Sequence, residues 1–456
     1  MKNSVFDLMR AEDLTNMKIQ YDWRTGASSL YSAHEWEKDI DWTRYNALFT
    51  AWHILTPKAR YYDDQATRAM FAEHGLTPYL EEIIALMAKG RNLMEDFYYW
   101  EKEDIRFVNN IHSLRRGLNN RHDCVTMGAM RRHVREEDEI EMLIDGMNLG
   151  RAMSFKNFAG ELPMGGAKIT VQQDELDIKN IANLGFLAYA MDRTADSPGP
   201  DMRFPVEMVD PMNDLFTLKF SGNLHGPLGP SGVPTAWGSF LASNEAARFL
   251  YGTPSWAGKK VAVMGLGAVG RPLAGHYAEV DGLELTVADI DQEVAEKFLH
   301  EYPGKKIKVV GADQILYEDV DLLAPAAVGG ILSPENLGRL KCKAVIGPGN
   351  NQIKASSADE EIAFAKKLAE RGILFQVEWW HNVAGVMCAY EEYSLQEKAS
   401  LEALMKKVER ICGGNTRTNL EEAKKAGLTP TERCYKAASE AIYDAAPAWK
   451  SMSRDI

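Results

Sequence analysis

Apolar residues recur along this chain with two periods, and the period changes from region to region. Ile140, Leu143, Ile144 and Met147 stand three and four apart, the spacing of one helical face, and predict a helix running on toward Lys156. Leu80, Ile83, Ile84 and Met87 form a second such face. Thr77 stands where a helix cap belongs, with Pro78 in the first turn, where a missing N–H is tolerated. Short apolar runs of strand length lie at 169–171, 259–264, 283–288, 307–310, 322–323, 344–346 and 373–375. A helix expected over 357–370 opens at Ser357, has Glu360 in capping-box position and stops at Gly372. In the second half of the chain, strands and helices alternate, which predicts a mostly parallel sheet covered by helices.

Glycine and proline crowd residues 222–238, which read as a domain boundary, and Pro198-Gly-Pro200 reads as a turn. A length of 456 residues makes two domains the natural expectation. Residues 1–105 scatter Trp36, Trp42 and Tyr45 among charges, hold one clear helix signal and carry no chemical motif. They are expected to form a helical N-terminal extension. Residues 106–233, completed by the largely helical 386–456, make one α/β domain, and 234–385 make the other.

Hydrophobic residues are 45% of the chain and charged residues 26%, the composition of an ordinary globular protein. The formal net charge is -13, which opposes binding to nucleic acid or to an anionic membrane. No apolar run is long enough to span a bilayer, and the first residues lack a signal-peptide core. The cysteines, Cys124, Cys342, Cys388, Cys412 and Cys434, are odd in number and widely spaced. They form neither a disulfide framework nor a metal site, so no metal is expected and a reducing cytoplasm is.

Two stretches carry chemistry. The first is 153–168, where Lys156 and Lys168 stand among Phe155, Phe158, Leu162 and Met164. Most lysines are solvated surface residues with apolar stems. A lysine desolvated in such company has its pKa drawn toward neutrality, as a general base requires. Gly165-Gly166 before Lys168 reads as a tight turn. The second stretch is a strand followed by Gly265-Leu-Gly-Ala-Val-Gly270, a helix, a second strand and Asp289. Glycines alone are weak evidence, but this order of elements is a dinucleotide-binding signal. Gly265 permits the turn, Gly267 lets backbone approach a pyrophosphate, and Gly270 lets helix pack on strand. Ala268 and Val269 complete the loop that opens the helix toward the phosphates. Asp289 accepts bonds from ribose hydroxyls and repels a 2′-phosphate, which favours NAD over NADP.

The first stretch resembles the catalytic segment of the dehydrogenases that act on glutamate, leucine, phenylalanine and valine. Their "MTYKNA" and "GG-x-K" stand here as "MSFKNF" and "GGAK". Further motifs follow in the family's order over about residues 120 to 415: 127–131 is similar to "LGG-x-R", 234–238 to "VTAYG", 325–329 to "PCALG", 349–352 to "ANNQ" and 381–389 to "INAGGVINV". The resemblance implies a Rossmann-type doubly wound domain beside an α/β substrate and oligomerisation domain, assembled as a homo-oligomer. It implies that Lys168 activates water, and that Lys156, with Asn350 or Asn351, holds the substrate carboxylate. Met127, Gly128, Val386 and Ala389 would line the side-chain pocket. Ala326, Asn350 and Asn382 would join the glycine loop in binding cofactor. The family's catalytic carboxylate falls on Asp201. Met202-Arg-Phe204 departs from the small residues that follow it in the family, and Glu207 and Asp210 remain alternatives.

The activity so implied is the reversible, NAD-dependent oxidative deamination of an amino acid to its 2-oxo acid and ammonia. The uncharged pocket residues point to the leucine and phenylalanine branch, with apolar or aromatic substrates. The other reading is a non-catalytic NAD-binding homologue with a regulatory or structural role, favoured by the long leader and Arg203-Phe204. A hydroxy-acid dehydrogenase needs a histidine paired with an acid, and only His381 stands near a plausible cleft loop.

Overall fold

The computed structural model describes residues 3–46, 54–114, 125–177, 179–201, 203–216, 221, 226–355 and 357–444. Cys124 and 222–225 of the expected boundary lie outside them. The chain is α/β and divides into two compact units: Met1–Asn157, Leu162–Gly229 and Ala389–Ala399 form one, and Phe158–Glu161, Pro230–Cys388 and Ser400–Ile456 the other. No helix among the described residues is long and apolar enough to cross a membrane.

The first unit is built on eight strands: β1 (Asn16–Asp22), β2 (Ala27–His34), β3 (Arg60–Tyr62), β4 (Met94–Trp100), β5 (Ile105–Ile111), β6 (Thr126–His133), β7 (Gly165–Gln172) and β8 (Asp196–Pro200). Their order is β3-β2-β1-β4-β5-β7-β6-β8, with β6 parallel to β7 and β8 and the other pairs antiparallel. The helices Val5–Ala11, Asp64–Glu73 and Thr77–Gly90 share one core with the start of the long helix Glu139–Ala159. The helix Ile181–Thr194 closes the other face over Trp42, Tyr98, Phe107 and Met130.

The leader is therefore not a helical extension: it supplies β1 to β4, half of this sheet. β4 escapes the alternation test because both its faces are covered. In β4, Phe97 and Tyr99 enter one core while Tyr98 and Trp100 enter the other, so apolar residues run on without a break.

β1–β2 and β4–β5 repeat one arrangement: helix, strand, short loop ending in a left-handed residue, strand. A step of 78 residues carries Asn16 onto Met94, Gly26 (φ 72°) onto Asp104 (φ 47°), Ala27 onto Ile105 and His34 onto His112. β1 and β4 meet with Lys18 opposite Asp96, which that same step relates. The local twofold axis between the hairpins thus passes between them, and Lys18 Nζ lies 3.2 Å from Asp96 Oδ2. Identical residues on such an axis would set like charges face to face, whereas Lys18 and Asp96 set opposite ones.

Three local expectations are corrected. Gly165-Gly166 is not a turn but the start of β7. A Cβ on Gly165 would come 2.0 Å from Ser113 O, and one on Gly166 2.0 Å from Ser154 N, so these glycines admit neighbouring backbone. Pro198-Gly-Pro200 is the end of edge strand β8, where proline's missing N–H leaves no ladder bond broken. Thr77 is not the cap of its helix. Leu76 takes that place, because its N–H bonds Phe71 O across Gly75 (φ 69°) and closes the preceding helix. Ser357, by contrast, caps the helix Ala358–Glu370 by accepting from Glu360 N–H.

The second unit has six parallel strands, β9 (Lys260–Met264), β10 (Glu284–Ala288), β11 (Ile307–Val309), β12 (Leu322–Pro325), β13 (Ala344–Val345) and β14 (Leu374–Phe375). They run in the order β11-β10-β9-β12-β13-β14. The order reverses between β9 and β12, the switch point at which doubly wound sheets bind ligands. The sequence reading gives 386–456 to the first domain; only Ala389–Ala399 falls there. The helix Asn415–Ala426 puts Leu420 into the core of the second unit. Cys412 packs so closely on the helix Gly232–Tyr251 that a Cβ on Gly238 would lie 2.7 Å from its Sγ, and Arg417 pairs with Glu245 at 2.8 Å. Cys342, Cys388, Cys412 and Cys434 are buried.

Candidate active site

In the first unit the adjacent strands β7, β6 and β8 bring three charged residues together. Lys168 lies on β7, Arg131 on β6, and Asp201 directly follows β8, its N–H continuing the ladder to Met130 O at 3.0 Å. Lys168 is 3% exposed. Its Nζ donates to Asp201 Oδ2, which also accepts from Arg131 Nε at 3.0 Å. Arg131 Nη1 reaches both oxygens of Asp145 on the long helix, at 3.1 and 2.9 Å. His133 Nε2 stands 3.4 Å from Asp145 and His133 Nδ1 3.0 Å from Glu137.

Burial is the largest influence on Lys168 and lowers its pKa; Asp201 opposes it, and Arg131 acts in the same direction as burial. Burial alone would raise the Asp145 carboxyl, but His133 and Arg131 outweigh it and hold it below the usual range. The arrangement sets an amine whose pKa burial lowers beside a carboxylate. That is the equipment of a proton-transfer site.

Of the three acids left open by the sequence, Asp201 is the one hydrogen-bonded to Lys168. Glu207 is exposed in the turn Val206–Met208, and Asp210 lies in the short helix Val209–Leu215. Arg203, the departure beside Asp201, is left-handed (φ 60°); its carbonyl accepts from Arg132 Nε at 2.9 Å, and its side chain lies 3.9 Å from Glu137. Phe204 turns into the core, with its N–H on Asp201 O at 3.0 Å. The unusual pair thus fastens the loop that presents the acid.

Lys156 lies half-buried near the end of the long helix. The next residue, Asn157, ties that helix to the sheet by donating to Met127 O at 3.0 Å and Gly165 O at 2.7 Å. Met127 is fully buried on β6. A Cβ on Gly128 would strike Ala167 O at 2.0 Å, so glycine there permits close strand packing. Val386 and Ala389 stand three residues apart on the helix Ala384–Leu395, hence on one face, and both are half-buried.

In the second unit the glycine loop joins β9 to the helix Gly270–Ala278. Gly265 is left-handed (φ 96°). Gly267 is exposed, and a Cβ there would meet nothing within 4 Å, which leaves its surface open to a ligand. A Cβ on Gly270 would come 1.9 Å from Gly265 O and 3.0 Å from Ala326 Cβ. The helix Gly270–Ala278 has Val269 at its N-cap and no side-chain cap bond; Arg271 N–H is given to Gly267 O at 3.0 Å, and Pro272 has no N–H. Ala268 is exposed. Asp289 follows β10 and reaches into the loop, accepting from Leu266 N–H at 2.7 Å. Asn382 Nδ2 donates to Asn350 Oδ1 at 2.9 Å, and the left-handed Asn351 (φ 51°) donates its N–H to Glu378 at 2.6 Å. These residues fit a dinucleotide. His381 is fully buried, with Nε2 3.1 Å from Gly347 O and Nδ1 3.2 Å from Gln376. These contacts hold a strand-end loop in place.

Sequence reasoning passed over Arg131 and Asp145 as site residues. The signal for Asp145 is a carboxylate set beside Ile144 in an otherwise apolar helical stretch. The signal for Arg131 is period two: Met127, Ala129 and Arg131 share a strand face that a region read as mixed did not reveal.

A family model described as Glutamate/Leucine/Phenylalanine/Valine dehydrogenase matches residues 232–448. A leucine dehydrogenase of Thermoactinomyces intermedius is 32% identical over 292 residues, covering 62% of this chain and 75% of that protein. A valine dehydrogenase of Streptomyces virginiae is 29% identical, covering 67% and 84%. Among solved structures, L-tryptophan dehydrogenase from Nostoc punctiforme superposes with a TM-score of 0.65 at 24% identity, covering 79% of this chain and 98% of that one; it is similar in fold.

Proposed function

The chain belongs to the glutamate/leucine/phenylalanine/valine dehydrogenase family and is an amino-acid dehydrogenase, and on that premise we propose that it uses NAD to deaminate an apolar or aromatic L-amino acid reversibly. The family implies a nicotinamide cofactor. The observation that carries the chemistry is the buried Lys168 bonded to Asp201.

The glycine loop and the N-terminus of Gly270–Ala278 would hold the pyrophosphate, Asp289 the ribose, and Ala326, Asn350 and Asn382 the remainder. When bound, nicotinamide supplies the acceptor for the hydride on the substrate's α-carbon. Lys156, with Asn350 or Asn351, holds the substrate carboxylate. Lys168, its pKa lowered by burial, takes a proton from the water that adds to the substrate's iminium carbon. Asp201 moves protons on the departing nitrogen. Amino acid, water and oxidised NAD give 2-oxo acid, ammonium, reduced NAD and a proton.

The substrate class rests on Met127, Val386 and Ala389, none of which is charged. A glutamate side chain would need a cation in their place, because an unpaired buried charge is very costly. An apolar side chain instead gains about 25 cal/mol for each Å² it removes from water. Relatives named leucine, valine and phenylalanine dehydrogenase support the same class. The test is kcat/KM for leucine, phenylalanine, tryptophan and glutamate with NAD, read by absorbance of the reduced cofactor. Apolar substrates are expected to lead; a clear preference for glutamate or lysine would show that these residues do not line the pocket.

Asp289 should make NAD the preferred cofactor, since its carboxylate repels a 2′-phosphate. Asp289→Ser is expected to narrow the NAD-to-NADP ratio of kcat/KM. Equal use of the two by the wild type would refute this role.

A further inference from the structure

Lys168 faces a difficulty that its own contacts create. Its ammonium is bonded to Asp201, so each loss of its proton removes a cation from a partly buried carboxylate. An abandoned carboxylate would pull the proton back and keep the amine charged. Arg131 meets this difficulty. Its Nε bonds the same oxygen, Asp201 Oδ2, at 3.0 Å, and a guanidinium does not deprotonate in a protein. Its other end is anchored at 2.9 and 3.1 Å on Asp145, so it bridges the two carboxylates in one posture.

We propose that Arg131 is a positioning residue, the standing counter-ion of Asp201, which keeps that carboxylate charged and in place while Lys168 gives up and regains its proton. The proposal rests on the reading of Lys168 as the base. The charged groups facing Lys168 are Asp201 after β8, Arg131 on β6 and Asp145 on the long helix, with His133 and Glu137 one contact farther out. With Lys168 charged, the four nearest groups sum to neutrality; with Lys168 neutral, Arg131 still serves both acids.

The test reads Lys168 directly. Lysine labelled with 13C at Cε is followed by NMR against pH, and the Lys168 resonance is identified by its loss in Lys168→Met. Arg131→Gln should move the Lys168 midpoint up by about one pH unit. The rising limb of kcat/KM should move with it. Arg131→Lys, which keeps the charge, should restore at least half of the shift. An unmoved midpoint in Arg131→Gln overturns the proposal, as does an Arg131→Lys midpoint as displaced as that of the glutamine variant. Should Arg131→Gln fail to fold, Arg131→Gln with Asp145→Asn leaves no orphaned partner. A smaller upward shift is expected there, because Arg131 lowers the Lys168 pKa and Asp145 raises it, Arg131 the more strongly. An unmoved midpoint in that double variant is equally fatal. If the wild type turns over no amino acid, the proposed activity fails, and the Lys168 midpoint still decides on Arg131.

Discussion

Lys168→Met is expected to lower kcat by about 10²- to 10⁴-fold, the usual contribution of a positioned base. That range corresponds to about 3–5 kcal/mol added to the barrier. Methionine keeps the length and volume of the buried stem, and Asp201 retains Arg131, so no bare charge is left in the strand. NAD binding, followed by calorimetry, should stay near wild type, because the glycine loop belongs to the second unit. The pH dependence gives a second reading. Burial lowers the Lys168 pKa, so the neutral amine accumulates below the usual lysine range and the wild-type rate rises with pH through that transition. The variant's residual activity should lack this limb. Full turnover in Lys168→Met would remove Lys168 from the mechanism, and loss of cofactor binding would point to general damage instead.

Asp201→Asn is expected to cost as much, by another route. The amide keeps the shape and a hydrogen-bond acceptor, but it removes the charge that both Lys168 and Arg131 contact. Two cations then face one another, and Lys168 deprotonates more readily than before. The base is therefore still present, and a loss of about 10²- to 10⁴-fold in kcat reports the proton handling that only the carboxylate performs. Glu207→Gln and Asp210→Asn should change the rate little. The comparison of the three variants, made at saturating substrate, assigns the acid. A near wild-type Asp201→Asn beside a crippled Glu207→Gln or Asp210→Asn would transfer the role to the residue whose loss is felt.

Much of the second unit was legible because its signals are local. Strand 259–264, the three glycines, the helix they open and Asp289 lie within some thirty residues. Each glycine does a job that backbone geometry assigns without reference to distant chain: a left-handed φ at Gly265, open surface at Gly267, close packing at Gly270. The two lysines stood out for the same reason, as charges in an apolar run. Where period and length misled, the cause was burial on both sides. β4 is covered on both faces and so lost the alternation that marks a strand, and the leader was read as helical.

Sequence by itself determined the family motifs, the glycine loop and the candidate residues. It did not determine which acid would meet Lys168, because Asp201, Glu207 and Asp210 lie within ten residues of one another and are chemically alike. That choice was made by the order and register of strands. β7 lies against β6 and β6 against β8, so the residue at the end of β8 arrives beside Lys168 across 33 residues of chain, and Arg131 on β6 arrives between it and Asp145. Nothing in the local periodicity of a strand states which strand will lie next to it. Pairing is settled by the burial of whole faces and by loop closure, and only the folded sheet joins a lysine, an arginine and two carboxylates into one cluster.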